Sequence, residues 1–474
     1  MKARLGLVAA VAVLLCACAP QPITKPAPPP TVQDLTRQQA LRAIATTIGT
    51  IRGAYVEETD VDRLVDLAVA GILRRGGFPY NPNHARPRGK TPAAAWERSN
   101  PQDARRWRRL VAVYLYVKDH RPKLSNEALA KAAIDSVLGS LDSQSAFYTR
   151  GQFHTIVHGA RAGVGLVLRK VDDRIFVLKP LADSPASRAG LRRGDAIVSI
   201  DGQSVAGEAL ADVAGRLRGA AGTSVRLGVR AVDGRQRTVE LKRARVRNPA
   251  FEFRWYNRDI GYLRINRLAR HTAGAIRKAA AGWTATPGRM RGLILDLRND
   301  PGGILGEAAQ VADLFLRDGL IAKISARVPR LRVDFHAGDD HSPLESVPMV
   351  VLVNHGTASG AELIAAALQR HHRARVVGYH TLGLGTVQTL VPLPGSMALK
   401  LTTGKLLTPG LVALQGNGVT PDVCVGSDKA GGCRQNDAAN DALEPYMAAA
   451  LRLLRARETT ASQQRPPAAD HIPG

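Results

Sequence analysis

Aromatic residues, cysteines and long apolar runs are all scarce in this chain of 474 residues. Aromatic side chains make up only 4% of it, and no base-stacking platform or recognition motif accompanies its arginines, which disfavours specific nucleic-acid binding. Neither His-Glu-x-x-His nor a Walker phosphate loop occurs, so we predict no metal and no cofactor. The net charge of +26 is interpreted as the mark of an arginine-rich proteome, with an acidic partner such as anionic lipid or cell-wall polymer as the alternative.

The first residues have the pattern of a secretory leader. A basic start precedes an apolar run over residues 5–15, which is too short to span a bilayer. Leu-Cys-Ala-Cys at 15–18 resembles a bacterial lipobox, which implies a lipoprotein signal peptide at 1–17 and Cys18 as the lipidated N-terminus. An ordinary soluble secretory signal is the alternative. Both predict a periplasm-facing protein of the cell envelope, and the Pro-rich tether at 18–34 suits a membrane-anchored one.

Helical periodicity dominates the first third of the chain. Apolar residues recur at helical spacing over 32–73 and again over Asn126–Leu138, behind a Ser125 cap. We therefore predict a helical region at 35–157. Bases and loop formers crowd a basic insertion at 74–123, which is interpreted as a solvated segment or as a surface that rests on anionic lipid headgroups.

Short strands and turn formers then dominate residues 158–246. Gly-Val-Gly-Leu at 163–166 is followed by Asp-Ser-Pro-Ala-Ser at 183–187 and by Gly-Asp-Ala-Ile at 194–197, and this order resembles a PDZ domain. The resemblance implies that an extended peptide adds as a strand while loop amides receive its terminal carboxylate. It assigns substrate binding to Gly163, Val164, Gly165 and Leu166. A coincidental β-domain is the alternative, and the strands predicted in either case are Val164–Val167, Ile175–Leu178, Ala196–Ile200 and Val225–Val229.

Strands and helices alternate from Ile260 onward, which predicts an α/β core at 249–430 and a C-terminal helix and tail at 431–474. One strand ends in Asn-Asp-Pro-Gly-Gly at 299–303, where free N–H groups near a helix start can hold an oxyanion. A later strand runs into a helix through Gly-Thr-Ala-Ser-Gly at 356–360. Taken alone, a serine at such a turn is more often a helix cap than a nucleophile.

Together with Gly383–Thr389 and Leu399–Thr403, these turns resemble the carboxyl-terminal processing, or tail-specific, serine peptidases. The resemblance implies a multidomain α/β fold with a helical N-terminal region, a PDZ domain and a mixed α/β serine peptidase core. In that family, the serine at the position of Ser359 attacks the peptide carbonyl, a lysine takes its proton, and a glutamine orients the lysine. Gln388 matches the glutamine, but Leu384 occupies the lysine position.

This departure separates peptide binding from peptide hydrolysis. The resemblance still assigns oxyanion binding to Gly302 or Gly303 together with Gly360. A serine hydroxyl without a base is a poor nucleophile, so one hypothesis is a noncatalytic pseudoprotease that binds or regulates protein C-terminal tails. The other is a serine-type endopeptidase that cuts such tails with a nonstandard base, and the candidates for that base are His355, His371, His372, His380, Lys400 and Lys405.

Only two cysteines follow the leader, Cys424 and Cys433. They are nine positions apart in a glycine-rich stretch, and an oxidising compartment would allow one local disulfide between them. A role as free thiols is the alternative.

Overall fold

The computed structural model describes residues 34–80, 101–153, 162–171, 173–208, 210–246, 248–338, 342–425, 433 and 442–463. The predicted signal peptide, Cys18 and residues 81–100 of the basic insertion lie outside this described part. No helix within it combines the length and the apolar character needed to cross a membrane.

Helices with capped N-termini form the first region. Thr36 and Ser125 accept the N–H groups of Gln39 and Ala128 at 3.2 and 3.0 Å, which stabilises the first turns of two of them. A short strand that follows the helices pairs antiparallel with residues 398–400 of the core. The elements are α1 (Arg37–Ala54), α2 (Val61–Gly76), α3 (Pro101–His120), α4 (Asn126–Leu138) and β1 (Ala146–Tyr148).

Residues 74–123 were predicted to be a solvated or lipid-facing insertion. Helix α3 lies within that stretch and belongs to the core of the helical region. Leu110, Tyr114 and Val117 are fully buried there. The predicted insertion was wrong over these residues because closely spaced arginines interrupt the apolar pattern. One of them, Arg109, pairs at 2.5 Å with Asp66 of α2.

The PDZ region is a sheet with strand order β2-β3-β4-β6-β7 and β5 beside β4. Strand β2 lies at one edge, and Ile175, Val177 and Val213 lie in the small core beneath it. The four strands predicted from sequence are present, and Ala196–Ile200 has both predicted ends. The elements are β2 (Leu166–Val171), β3 (Arg174–Pro180), α5 (Pro185–Arg188), β4 (Ala196–Ile200), β5 (Gln203–Ser204), α6 (Leu210–Leu217), β6 (Ser224–Arg230) and β7 (Gln236–Lys242).

Two sheets form the remaining core. The first has the order β17-β14-β13-β10-β9-β8 and is parallel except for β8, and the second joins β1, β16, β11 and β12, with β15 beside β16. The elements are β8 (Phe251–Tyr256), β9 (Ile260–Ile265), α7 (Thr272–Trp283), β10 (Gly292–Asp296), α8 (Leu305–Asp313), β11 (Leu320–Ser325), β12 (Val333–His336), β13 (Met349–Val353), α9 (Gly360–Arg370), β14 (Arg375–Gly378), β15 (Thr386–Leu393), β16 (Met397–Leu407), β17 (Val423–Cys424) and α10 (Leu443–Gln463).

Strands β10 and β13 are neighbours in the parallel sheet, with Asp296 opposite Leu352. The carboxyl ends of parallel strands meet at one edge, which is where open α/β sheets bind ligands. The Asn299–Gly303 turn after β10 and the Gly356–Ser359 turn after β13 therefore lie side by side.

Candidate active site and peptide groove

Ser359 occupies a strained position at the start of α9. Its φ of 55° and ψ of −118° are uncommon for a residue with a Cβ. The preceding turn holds it there, because Ala358 donates its N–H to the carbonyl of Asp300 at 3.0 Å and Thr357 donates its hydroxyl to the carbonyl of Leu297 at 2.9 Å. The turn presents the side chain of Ser359 at the carboxyl edge of the sheet.

Glu362, in the first turn of α9, joins the nucleophile turn to the loop that carries Leu384. Its buried carboxylate accepts N–H groups from Ser359 at 2.8 Å, Gly383 at 2.7 Å and Leu384 at 2.9 Å, and it also accepts the hydroxyl of Thr381. The N–H groups of Ser359 and Leu384 share one oxygen, Oε2. The fold therefore brings the lysine position of the family resemblance directly beside Ser359.

Sequence reasoning gave Glu362 no role. The Ser-x-x-Glu spacing of a capping box was the signal that points to its bond with the N–H of Ser359. Burial raises the pKa of Glu362, against the lowering effect of the hydrogen bonds that it accepts. Its bonds to the distant loop follow from tertiary structure alone.

The residue at the lysine position is aliphatic. The half-buried Leu384 offers no proton acceptor, and within the described residues the side chain of Ser359 makes no hydrogen bond to another side chain. Gln388 lies on β15, where its Nε2 donates to Thr386 Oγ1 at 2.6 Å. Among the described residues, no hydrogen bond joins Gln388 to Ser359.

The glycines of the two turns differ in the state of their N–H groups. Gly302, with a φ of 84°, donates to Asp300 Oδ1 at 2.8 Å, so its N–H is already engaged. The N–H groups of Gly303 and Gly360 donate to no acceptor among the described residues, and a Cβ built on Gly360 lies 3.7 Å from the nitrogen of Gly303. Of the two alternatives for the first oxyanion donor, the geometry favours Gly303.

Asp300 lies under this turn in an unusual electrostatic setting. It is buried, and its Oδ2 has no hydrogen-bond partner. Burial raises the pKa of Asp300 to about 7, while burial and the charge of Arg264 lower the pKa of Lys179 to about 8. Lys179 comes from β3 of the PDZ region and donates to Asn266 Oδ1 of the core at 3.0 Å. The PDZ region thus contacts the core close to the oxyanion turn.

None of the candidate substitute bases makes a hydrogen bond with Ser359 in the described chain. His371 and His380 contact the carbonyls of Leu320 and Thr381, and Lys405 pairs with Glu57 at 3.2 Å. Lys400 is half-buried on β16, and burial lowers its pKa. His355 lies on the nucleophile turn itself, where partial desolvation and the charge of Arg169 lower its pKa.

The loop before β2 carries the predicted carboxylate-binding amides. Gly163 exchanges hydrogen bonds with Ala244 at 2.9 Å, so its own N–H is engaged. The N–H groups of Val164 and Gly165 donate to no described acceptor. Gly165 has a φ of 80°, and a Cβ there would lie 2.1 Å from Ser184 Cβ, so only glycine fits. Leu166 is half-buried and packs against the PDZ core.

Cys424 and Cys433 form a disulfide with their Cα atoms 5.1 Å apart. The carbonyl of Cys433 accepts the N–H of His380 at 2.9 Å, next to Thr381, which contacts Glu362. The disulfide therefore lies near the Leu384 loop. Across the described residues, no group of three or more His, Cys, Asp or Glu side chains is placed to hold a metal ion.

Comparisons with known proteins agree with this arrangement. The family model of peptidase family S41 matches residues 259–425, and a PDZ domain model matches 176–231. The carboxy-terminal-processing protease of Bartonella bacilliformis is 34% identical over 309 residues, which are 63% of this chain and 70% of that protein. A probable CtpA-like serine protease of Staphylococcus aureus is 32% identical over 315 residues, 66% of this chain and 63% of that protein, so the chain spans less than two thirds of it.

Among solved structures, the photosystem II D1 C-terminal processing protease is similar, with a TM-score of 0.60 and 25% identity over 82% of this chain and 94% of that one. This similarity covers most of the chain. It supports the order of regions that the motifs predict.

Proposed function

The chain belongs to the carboxy-terminal-processing serine peptidase family with a PDZ domain, and from this premise we propose that it binds the C-terminal tails of proteins and holds peptide in a cleft that hydrolyses it poorly or not at all. Its substrates or ligands are then unstructured protein ends. The PDZ domain supplies affinity through strand addition to β2 and through the amides of Val164 and Gly165.

One observation carries the second half of this proposal. Glu362 Oε2 accepts the N–H groups of both Ser359 and Leu384, which supports an aliphatic side chain as the neighbour of the nucleophile. A base that removes the serine proton contributes about 10²–10⁴-fold to rate. Loss of one member of a cooperating set costs up to roughly 10⁶-fold. The N–H groups of Gly303 and Gly360 can still donate to a peptide carbonyl, so the cleft would bind peptide even without hydrolysing it.

A second candidate function is hydrolysis by Ser359 with His355 as a nonstandard base. His355 is four residues before Ser359 on the same turn, and its lowered pKa favours a neutral, proton-accepting ring at pH 7. Against it stands the lack of a hydrogen bond between the two side chains in the described chain.

A fluorophosphonate probe and an unstructured peptide with an apolar C-terminus discriminate the two candidates. We expect the purified protein to bind the peptide, and we expect probe labelling and cleavage no greater than in Ser359→Ala. Labelling and cleavage that the substitution abolishes would contradict the noncatalytic reading. If His355→Gln, in a folded protein, abolished both as well, the nonstandard-base function would be supported.

We also propose that the protein is a lipoprotein anchored through Cys18 and facing the periplasm. The support is the lipobox-like Leu-Cys-Ala-Cys at 15–18 and the Pro-rich tether that follows it. Metabolic labelling with a palmitate analogue should mark the intact chain and not Cys18→Ala, with Cys16→Ala as the matched control. Equal labelling of all three would contradict this proposal.

A further inference from the structure

Strand β2 has an open edge beside the free amides of the carboxylate loop. It pairs with β3 and with no other described strand. The amides of Val164 and Gly165 lie at its start, so a bound tail has its C-terminus there and runs antiparallel to β2 toward Val171. At one residue of tail for each residue of strand, Arg169 lies beside the residue roughly two to four positions before the C-terminus.

Arg169 points away from the PDZ core, because its partner in the register is Phe176, whereas Leu168 and Lys170 pair with the buried Val177 and Ile175. Its Nε is buried, and among the described residues it has no hydrogen-bond partner and Arg169 makes no ion pair. Burial and the charge of Arg193 lower its pKa, so a second guanidinium lies close by.

Arg193 links this face of the PDZ domain to the nucleophile turn. It donates to Asn299 Oδ1. The side-chain amide of Asn354 donates to the same Asn299 oxygen at 3.1 Å, and His355 follows Asn354 directly. The charges of Arg169 and Arg193 both act on His355. A cluster of two guanidinium groups, of which that of Arg169 has no acidic partner among the described residues, therefore lies where the edge of β2 meets the peptidase turn.

We propose that Arg169, with Arg193 and His355 at its border, is a specificity site for an acidic side chain located roughly two to four residues before the C-terminus of a bound tail. This inference rests on tail binding by the PDZ domain. A carboxylate fits because it accepts charge-assisted hydrogen bonds from a guanidinium that lacks a protein acceptor, and because it relieves the repulsion between the two arginines. The terminal carboxylate does not reach this cluster, because it binds beside Val164 and Gly165 at the start of β2.

The experiment compares the binding of labelled peptides to the full chain in a Ser359→Ala background, where no cleavage interferes. The peptides are unstructured, share one apolar C-terminal residue, and carry Glu or Gln at the second, third or fourth position before it. Each Gln peptide keeps the terminal carboxylate of its Glu counterpart, so the comparison separates the terminal carboxylate from the side chain. Arg169→Gln is the test variant, and Arg226→Gln, which removes the same charge from an exposed position on β6, is its control.

We expect Arg169→Gln to weaken the best Glu peptide by about tenfold or more, the range for a hydrogen bond to a charged group, and to change the Gln peptide by less than about twofold. Arg226→Gln should leave both unchanged. Equal weakening of the Glu and Gln peptides, or no weakening of either, overturns the inference while tail binding stands. If the unsubstituted chain bound no tail at all, the proposed function would fall first and this inference with it.

Discussion

The PDZ groove and the peptidase cleft share one device, a pair of backbone N–H groups left free at a strand-to-loop or loop-to-helix junction. In the groove these belong to Val164 and Gly165, and in the cleft to Gly303 and Gly360. On the proposed function, the groove needs nothing further to bind a terminal carboxylate. The cleft also needs a proton acceptor beside Ser359, and Leu384 occupies the position of the family's lysine. On this proposal, recognition survives in a chain whose cleft lacks its base.

Restoring the base should produce the largest effect. In Leu384→Lys an amine would stand beside Ser359, within a loop that Glu362 already holds in place. We expect peptide hydrolysis to rise by at least about 100-fold, the lower end of general-base assistance. The measurement is kcat/KM on an unstructured peptide, and Ser359→Ala should abolish the gain.

Leu382→Lys is the matched control for that variant, because it adds the same charge to an exposed position of the same loop. It should give no gain. A folded Leu384→Lys protein without activity would show that the cleft differs from an active one by more than its base, and the contrast between groove and cleft would have to be redrawn.

The next largest effect should come from Glu362→Gln, which tests whether the cleft is organised independently of the groove. Glutamine has one acceptor oxygen where the carboxylate has two, so buried N–H groups lose partners at about 1–3 kcal/mol each. We expect the free energy of unfolding to fall by on the order of 3 kcal/mol. Hydrogen exchange at Thr381–Leu384 should become faster. Tail affinity should change by less than about twofold.

Glu240→Gln, at an exposed position on β7 of the PDZ domain, supplies the control and should leave exchange unchanged. If the amides of Thr381–Leu384 exchanged as slowly in Glu362→Gln as in the unsubstituted chain, other contacts would be holding the Leu384 loop. An equal loss of tail affinity would show that the groove and the cleft are coupled.

The sequence predicted the order of regions, the Ser125 cap and the two turns of the cleft, because glycine, capping residues and apolar periodicity act over short distances. It failed where a residue's role depends on distant partners. The periodicity of α3 is interrupted by arginines that pair with α2. Glu362 looked like part of a helix start, although three of the four groups that donate to its carboxylate lie in a loop 19 to 22 residues away. Gly302 and Gly303 are indistinguishable in sequence, and only the bond to Asp300 separates them.

The smallest predicted effect concerns the contact between the two regions, where Lys179 of the PDZ domain lies near Asp300 of the oxyanion turn. Burial raises the pKa of Asp300 to about 7, above its ordinary value of 3.8. Between these values the folded state binds a proton that the unfolded state has lost, so stability falls as pH rises through this window and levels off above pH 7.

Asp300→Asn keeps the acceptor for Gly302 and does not titrate. We therefore expect it to be more stable than the unsubstituted chain by on the order of 2 kcal/mol at pH 8, with a gap that closes toward pH 4. Thermal unfolding at each pH measures the gap, and Asp119→Asn, on the exposed end of α3, should show none. A gap that is constant with pH would mean that Asp300 titrates normally, and the contact would then contribute no pH dependence to the docking of the PDZ domain on the core.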